Sequence, residues 1–290
     1  MPAIAKKICV VTGAGGGLGR ALAKAFAAAG AARIYLVDSD QGALSQTVDV
    51  IRAAGSGTEL EAALVDVARS EAVDAFAAAV IDKSGPPDLV VNNAGVVLTA
   101  TLERMSLADF EWLMGVNFWG VVYGCHAFAP AMAAAGRGHI VNLSSIHGCI
   151  GVPGISAYSA SKFAVRGFSE AIGFELAPKG VTVSVVLPGC IHTNIARNAR
   201  FRGLDDPSIT QAMIADRFDR LPGLTPDEAA RRICAGITAG KRRIIIGRDA
   251  YAVDAIQRLL PAGWERVILP SFLVIAHVGK WMKGQQQGER

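Results

Sequence analysis

A short apolar run, Ile8-Cys9-Val10-Val11, breaks straight into Thr12-Gly13-Ala14-Gly15-Gly16-Gly17-Leu18-Gly19, and an alanine-rich stretch over residues 20–29 follows. No other feature of the chain constrains its fold as tightly. An apolar run bounded by a turn predicts a buried parallel strand, and the alanine run predicts a helix packed upon it. The glycines between them let backbone N–H groups approach an anion at the helix N-terminus, where the dipole favours negative charge. Strand, glycine turn and helix together predict a dinucleotide pyrophosphate site built from Gly13, Gly17, Leu18 and Gly19.

The unit repeats along the chain. Residues 33–38 read as a second strand ending on Asp38, 19 residues past Gly19. That is close to the offset at which a carboxylate meets the adenosine ribose hydroxyls. A carboxylate there repels a 2′-phosphate, and neither Ser39 nor Gly16 supplies a cation, so NAD is expected over NADP. Further strands are expected at 60–67, closing on Asp66-Val67, at 88–91, running into Asn92-Asn93-Ala94-Gly95, and at 139–143, ending at Ser144-Ser145. Two more are expected at 181–187 and 243–246. Helices fall between them: residues 70–83, a long one capped by Ser106 that carries Asn117, one through Tyr158 to about 177, and one opened by Thr225-Pro226. The alternation specifies an α/β fold, a doubly wound parallel sheet with ligands at the carboxyl ends of its strands. Asp38, Asp66, Asn93, Ser145 and Pro188 all fall at such ends.

Tyr158 and Lys162 are four residues apart and share one face of their helix. A neighbouring ammonium is expected to pull the phenol below its ordinary pKa of about 10, so that it can exchange a proton near neutral pH.

The whole set resembles the short-chain dehydrogenase/reductase family over about residues 6–247: Thr12-Gly13…Gly17-Leu18-Gly19, Asn92-Asn93-Ala94-Gly95, Asn117, Ser145, Tyr158…Lys162 and Pro188-Gly189…Thr193. The thirteen-residue interval from Ser145 to Tyr158 is usual there, which selects Ser145 over Ser144 as catalytic. The resemblance implies a Rossmann-type sheet of about seven strands, a homodimer or homotetramer, and hydride transfer between a nicotinamide and a small-molecule alcohol or ketone. Tyr158 would be the acid/base, Ser145 would stabilise the developing oxyanion, Lys162 would hold the nicotinamide ribose, and Asn117 would hold a relay water. Asp66 and Val67 would flank the adenine. Asn93, Ile191 and Thr193 would complete the coenzyme site, with Thr193 on the carboxamide. An NAD-linked oxidoreductase acting on a secondary alcohol with a hydrophobic or aromatic skeleton is expected. The alternatives are an NADPH-dependent carbonyl or 3-oxoacyl reductase and a non-catalytic dinucleotide sensor.

Composition narrows the rest. With 290 residues, 51% apolar and a net charge of +4, one domain with a full core is expected, and no basic run is long enough for nucleic acid. Five cysteines without a Cys-x-x-Cys, and no leader, point to a reduced cytoplasmic protein. Histidine spacing predicts no metal. Residues 1–250 are expected to form the catalytic domain and 251–290 an extension. The polar stretch 190–224 reads as a mobile substrate flap with a short helix near 209–218, whose Arg197, Arg200 and Arg202 could reach an anion. Trp112, Phe118 and Trp119 are expected in the core or a dimer interface. The apolar stretch 267–279 is too short to span a bilayer, and burial or a subunit interface is favoured over peripheral membrane contact.

Overall fold

A computed structural model describes residues 4–276. In chain order, β1 (Ile8–Thr12), α1 (Gly17–Ala28), β2 (Arg33–Asp38), α2 (Gln41–Ala53), β3 (Glu59–Leu64), α3 (Ser70–Ser84) and β4 (Leu89–Asn92) form the first half. Then come β5 (Leu98–Ala100), α4 (Leu107–Met114), a π-helical turn (Gly115–Trp119), α5 (Gly120–Ala134), β6 (Gly138–Leu143), α6 (Ser156–Leu176) and β7 (Val181–Pro188). The chain continues through β8 (Arg200–Gly203), α7 (Gln211–Arg220), α8 (Pro226–Thr238), β9 (Arg243–Ile246), α9 (Arg248–Leu259) and α10 (Trp264–Ala276).

Seven strands pair in the order β3-β2-β1-β4-β6-β7-β9, every pair parallel, in a Rossmann-type sheet. Strand alternation decides what each face buries. In β1, Cys9 and Val11 pack towards α1, α2 and α8, whereas Val10 packs towards α3, α5 and α6. Strand order reverses between β1 and β4, and that crevice is where an open α/β sheet binds its ligand.

Four elements differ from the sequence reading. First, α1 begins at Gly17, because the last residues of the glycine turn already have helical hydrogen bonding. Second, β3 ends at Leu64: Val65 N–H still reaches the Asp38 carbonyl, but Asp66 then turns to accept the Ala68 N–H. Third, the long helix after Ser106 is interrupted by the π turn that carries Asn117. Fourth, the stretch read as a free flap contains β8, which pairs in parallel with β5.

That small ribbon ties three segments together. Ala100 N–H donates to the Gly154 carbonyl and Thr101 N–H to the Gly203 carbonyl. Arg202 grips Asp109 through two 2.8 Å hydrogen bonds, and Arg200 reaches the same carboxylate at 3.4 Å while its guanidinium lies 3.5 Å from the Trp112 ring centroid. Arg197 pairs with Asp219 and Asp216. All three flap arginines are thus paired with carboxylates of the protein, while their side chains stay about half exposed. Phe118 packs edge-on against Phe168, and the more exposed Trp119 stacks on Tyr123.

At the end of the chain, Ile268 packs with Ala250 and Val253 of α9 against Ile146 and Ile150, while Val267 is exposed. Of the apolar stretch 267–279, residues 277–279 lie outside the described ones. Among the described residues no helix is long and apolar enough to cross a membrane.

Candidate active site

The glycine turn is shaped by contacts that leave no room for side chains. Gly13 and Gly17 have φ of +66° and +49°, in the left-handed region that favours glycine. A Cβ on Gly19 would lie 2.0 Å from the Gly13 carbonyl oxygen. The end of β4 braces the turn: Asn93 Nδ2 donates to the carbonyls of Thr12 (2.9 Å) and Gly13 (3.3 Å), and Thr12 Oγ1 accepts the N–H groups of Asn93 and Ala94. In front of Gly16 the space is open, and α1 has neither a side-chain cap nor an acid in its first turn. Its first amides are thus left for a ligand, and the cradle fits a pyrophosphate. Leu18 packs back against the core.

Asp38 sits at the rim of this cradle. Its Oδ2 accepts the Gly15 N–H at 2.8 Å and its Oδ1 the Asp40 N–H. The cap of α2 is Asp40, which takes the Ala43 N–H, so Asp38 is not the helix cap. Val67 is buried against Gly120, and Asp66 is exposed beside it. Across the turn stands Thr193: a Cβ on Gly17 would lie 3.3 Å from it. Ile191 is buried and bridges to Leu224.

At the head of α6 the serine pair separates by geometry. Ser144 Oγ donates to the Lys162 carbonyl at 2.7 Å and is thereby committed to structure. Ser145 Oγ accepts the His147 N–H, and the serine stands near enough to Tyr158 to draw that phenol slightly down. Lys162 is buried, with Nζ donating to the Leu143 carbonyl at 2.9 Å and lying 5.6 Å from the Tyr158 ring centroid. Asn117 is fully buried: Oδ1 accepts the Val96 N–H, and Nδ2 donates to the Val96 carbonyl and to Ser161 Oγ. Gly95 joins these groups, since a Cβ there would lie 3.4 Å from Asn117 Oδ1 and 3.6 Å from Lys162 Nζ.

Burial governs the protonation of the cluster. It pushes the Tyr158 phenol up to about 12, against a smaller downward pull from Ser145, and it pulls Lys162 down to about 8. The expected depression of Tyr158 by Lys162 is therefore not found in the polypeptide alone; the ammonium donates to the Leu143 carbonyl, and burial of the phenol sets the direction. His147, edge-on to Tyr158 at 5.8 Å between centroids, is pulled down to about 4 by burial. Cys149 is buried beside Arg166 and Arg243, and burial raises its thiol.

The sequence reading missed the carbonyl of Leu143 and the small residue Gly95. A main-chain acceptor carries no side-chain signal, and the glycine was legible only as part of Asn92-Asn93-Ala94-Gly95. The ribbon and the Asp109 clasp were missed too, because their partners are about ninety residues apart.

Residues 7–202 match the family profile described as short chain dehydrogenase. A Mycobacterium tuberculosis protein named as an oxidoreductase, SadH, is 42% identical over 265 residues, covering 90% of this chain and 94% of its own. A short-chain dehydrogenase/reductase from Burkholderia phymatum, solved in complex with NAD, superposes with a TM-score of 0.80 at 32% identity, covering 90% of this chain and 95% of its own. A metagenomic short-chain oxidoreductase solved with NADP gives a TM-score of 0.68 at 32% identity, over 84% and 98% of the two chains.

Proposed function

The chain belongs to the short-chain dehydrogenase/reductase family, and from that premise we propose that it is an NAD-dependent oxidoreductase interconverting a secondary alcohol and a ketone on a hydrophobic or aromatic skeleton. The observation that carries the coenzyme choice is Asp38. Its carboxylate is fixed at the end of β2 by the Gly15 and Asp40 amides, where it accepts from ribose hydroxyls and repels a 2′-phosphate.

Gly13, Gly17, Leu18, Gly19 and Asn93 hold the dinucleotide backbone, Asp66 and Val67 flank its adenine, and Ile191 and Thr193 border the nicotinamide. Bound NAD supplies the hydride acceptor, a chemistry the side chains lack. Tyr158 takes the proton from the substrate hydroxyl, and Ser145 donates a hydrogen bond to the same oxygen as charge develops on it. The Lys162 ammonium holds ribose hydroxyls and, together with the positive nicotinamide of bound NAD, favours the Tyr158 phenolate against the burial that pushes that phenol up to about 12. Asn117, close beside Lys162 across Gly95, starts a water relay from the ammonium to solvent. Exposed Trp119 and Phe163 suit a homo-oligomer.

The test is initial-rate reduction of NAD and of NADP over a panel of neutral aliphatic, aryl and polycyclic secondary alcohols. Turnover preferring NAD supports the reading, and Asp38→Ala is expected to lower the NAD-to-NADP ratio roughly 10- to 100-fold, the loss of one charged hydrogen-bond acceptor. A clear preference of the unaltered protein for NADP overturns it. A second reading, an NADPH-dependent carbonyl reductase, draws on the relative solved with NADP. Against an acyl-carrier substrate stand the flap arginines, which are already paired.

A further inference from the structure

Asp249 lies in the first turn of α9, and its carboxylate reaches out of that helix onto the chain leaving β7. Its Oδ2 accepts the Cys190 N–H at 2.6 Å. The fit is close on two sides: a Cβ on Gly189 would collide with both carboxylate oxygens, and one on Gly247 would collide with Oδ1. Gly247 has φ of +101°, a conformation that favours glycine, and it turns the chain from β9 into α9.

Three main-chain bonds hold the same segment. Gly189 N–H donates to the Ile246 carbonyl at 2.9 Å, Leu224 N–H to the Cys190 carbonyl at 2.9 Å, and His192 N–H to the Leu224 carbonyl at 3.0 Å. The Asp249 bond differs from these in using a carboxylate as acceptor, and charge-assisted bonds are the stronger kind. Three residues past Cys190 stands Thr193, whose Cβ and Cγ2 would each lie 3.3 Å from a Cβ on Gly17.

We propose, resting on the oxidoreductase reading, that Asp249 is a positioning residue for the nicotinamide half of the coenzyme. It acts through Cys190 on the short segment that carries Ile191 and Thr193. A carboxylate wedged against two glycines cannot move without the main chain of Gly189 and Cys190 moving too, and that displacement reaches Thr193 and its spacing from the glycine turn. The adenosine side is held by other groups: Asp38 bonds to Gly15 and Asp40, and Asn93 to Thr12 and Gly13. Loss of Asp249 therefore acts on one end of the coenzyme. The helix itself stays docked without it, because Ala250 and Val253 pack with Ile146 and Ile150, and Asp254 pairs with Arg243. An acid that served only the dipole of α9 would treat both halves of the coenzyme alike.

The test is calorimetric titration of the full chain and its variants with NAD and with ADP-ribose, which is NAD without its nicotinamide. Asp249→Ala is expected to weaken NAD about tenfold, the loss of one charge-assisted bond, and to leave ADP-ribose unchanged. Asp249→Asn keeps a neutral acceptor, so it weakens NAD by only about threefold, again with ADP-ribose unchanged. Equal losses for the two ligands, or no loss for NAD, overturn the assignment and leave Asp249 a purely structural acid. If Asp249→Ala does not fold, the same ratio in Asp249→Asn decides. An unaltered chain that takes NADP is read with NADP and 2′-phospho-ADP-ribose. One that binds no dinucleotide defeats the oxidoreductase reading first, and the role of Asp249 with it.

Discussion

The side of the active site facing β1, β2 and β4 and the side facing residues 190–224 are built by different forces. On the first, backbone approaches backbone: Gly19 passes within a missing methyl of the Gly13 carbonyl, and Asn93 and Thr12 lock the turn through main-chain groups. On the second, a two-stranded ribbon is clasped by charge, with Arg200 and Arg202 converging on an Asp109 side chain that is only 6% exposed. Close backbone approach fixes a cradle for a ligand of constant shape. A clasp of side chains shapes a wall that other sequences can rebuild without disturbing the sheet. Ser145, Tyr158 and Lys162, the proposed reacting groups, lie on the loop after β6 and the first turns of α6.

That contrast can be broken at its centre first. Tyr158→Phe is expected to lower turnover by about 10²- to 10⁴-fold, the usual worth of a positioned acid/base, while coenzyme titration stays near normal. Near-normal turnover would remove Tyr158 from the chemistry. Next, Gly19→Ala tests the backbone-built side. Its methyl has nowhere to go, so thermal unfolding should reveal a loss of about 1–3 kcal/mol or more, with coenzyme binding lost alongside. A variant that binds NAD normally would show that the turn is looser than its contacts imply.

Asp109→Asn tests the clasped side. Releasing Arg200 and Arg202 should raise substrate KM several-fold with coenzyme affinity unchanged, a split that a general loss of folding would not produce. If KM stays put, the clasp is scaffolding alone. The smallest effect is acid sensitivity. Burial holds His139 and His147 near 4 in the folded chain, against an ordinary value of 6.5. The unfolded chain therefore binds these protons first, so stability falls as pH drops from about 6.5 towards 4 and levels off below. Melting curves over that range check it, and a flat profile would mean the two rings are hydrated.

Much of the fold was legible because it depends on local pattern. Buried strands read as β-branched runs, Thr225 and Ser106 announced their helices as caps, and the acids and amides at strand ends marked the crevice. That Tyr158 and Lys162 share a helix face was readable by spacing, whereas Ser145 was singled out through the family resemblance. Only the tertiary structure could decide the rest. The three-residue β5 has no periodicity to detect, and its pairing with β8 spans a hundred residues of chain. Asn117 sits on a π turn that no propensity scale marks. Whether Arg200 and Arg202 meet a substrate or an aspartate, and whether Lys162 or burial controls the Tyr158 proton, depends on which groups end up adjacent and how much water is excluded. Sequence spacing fixes neighbours one turn away; desolvation and long-range pairing belong to the assembled fold.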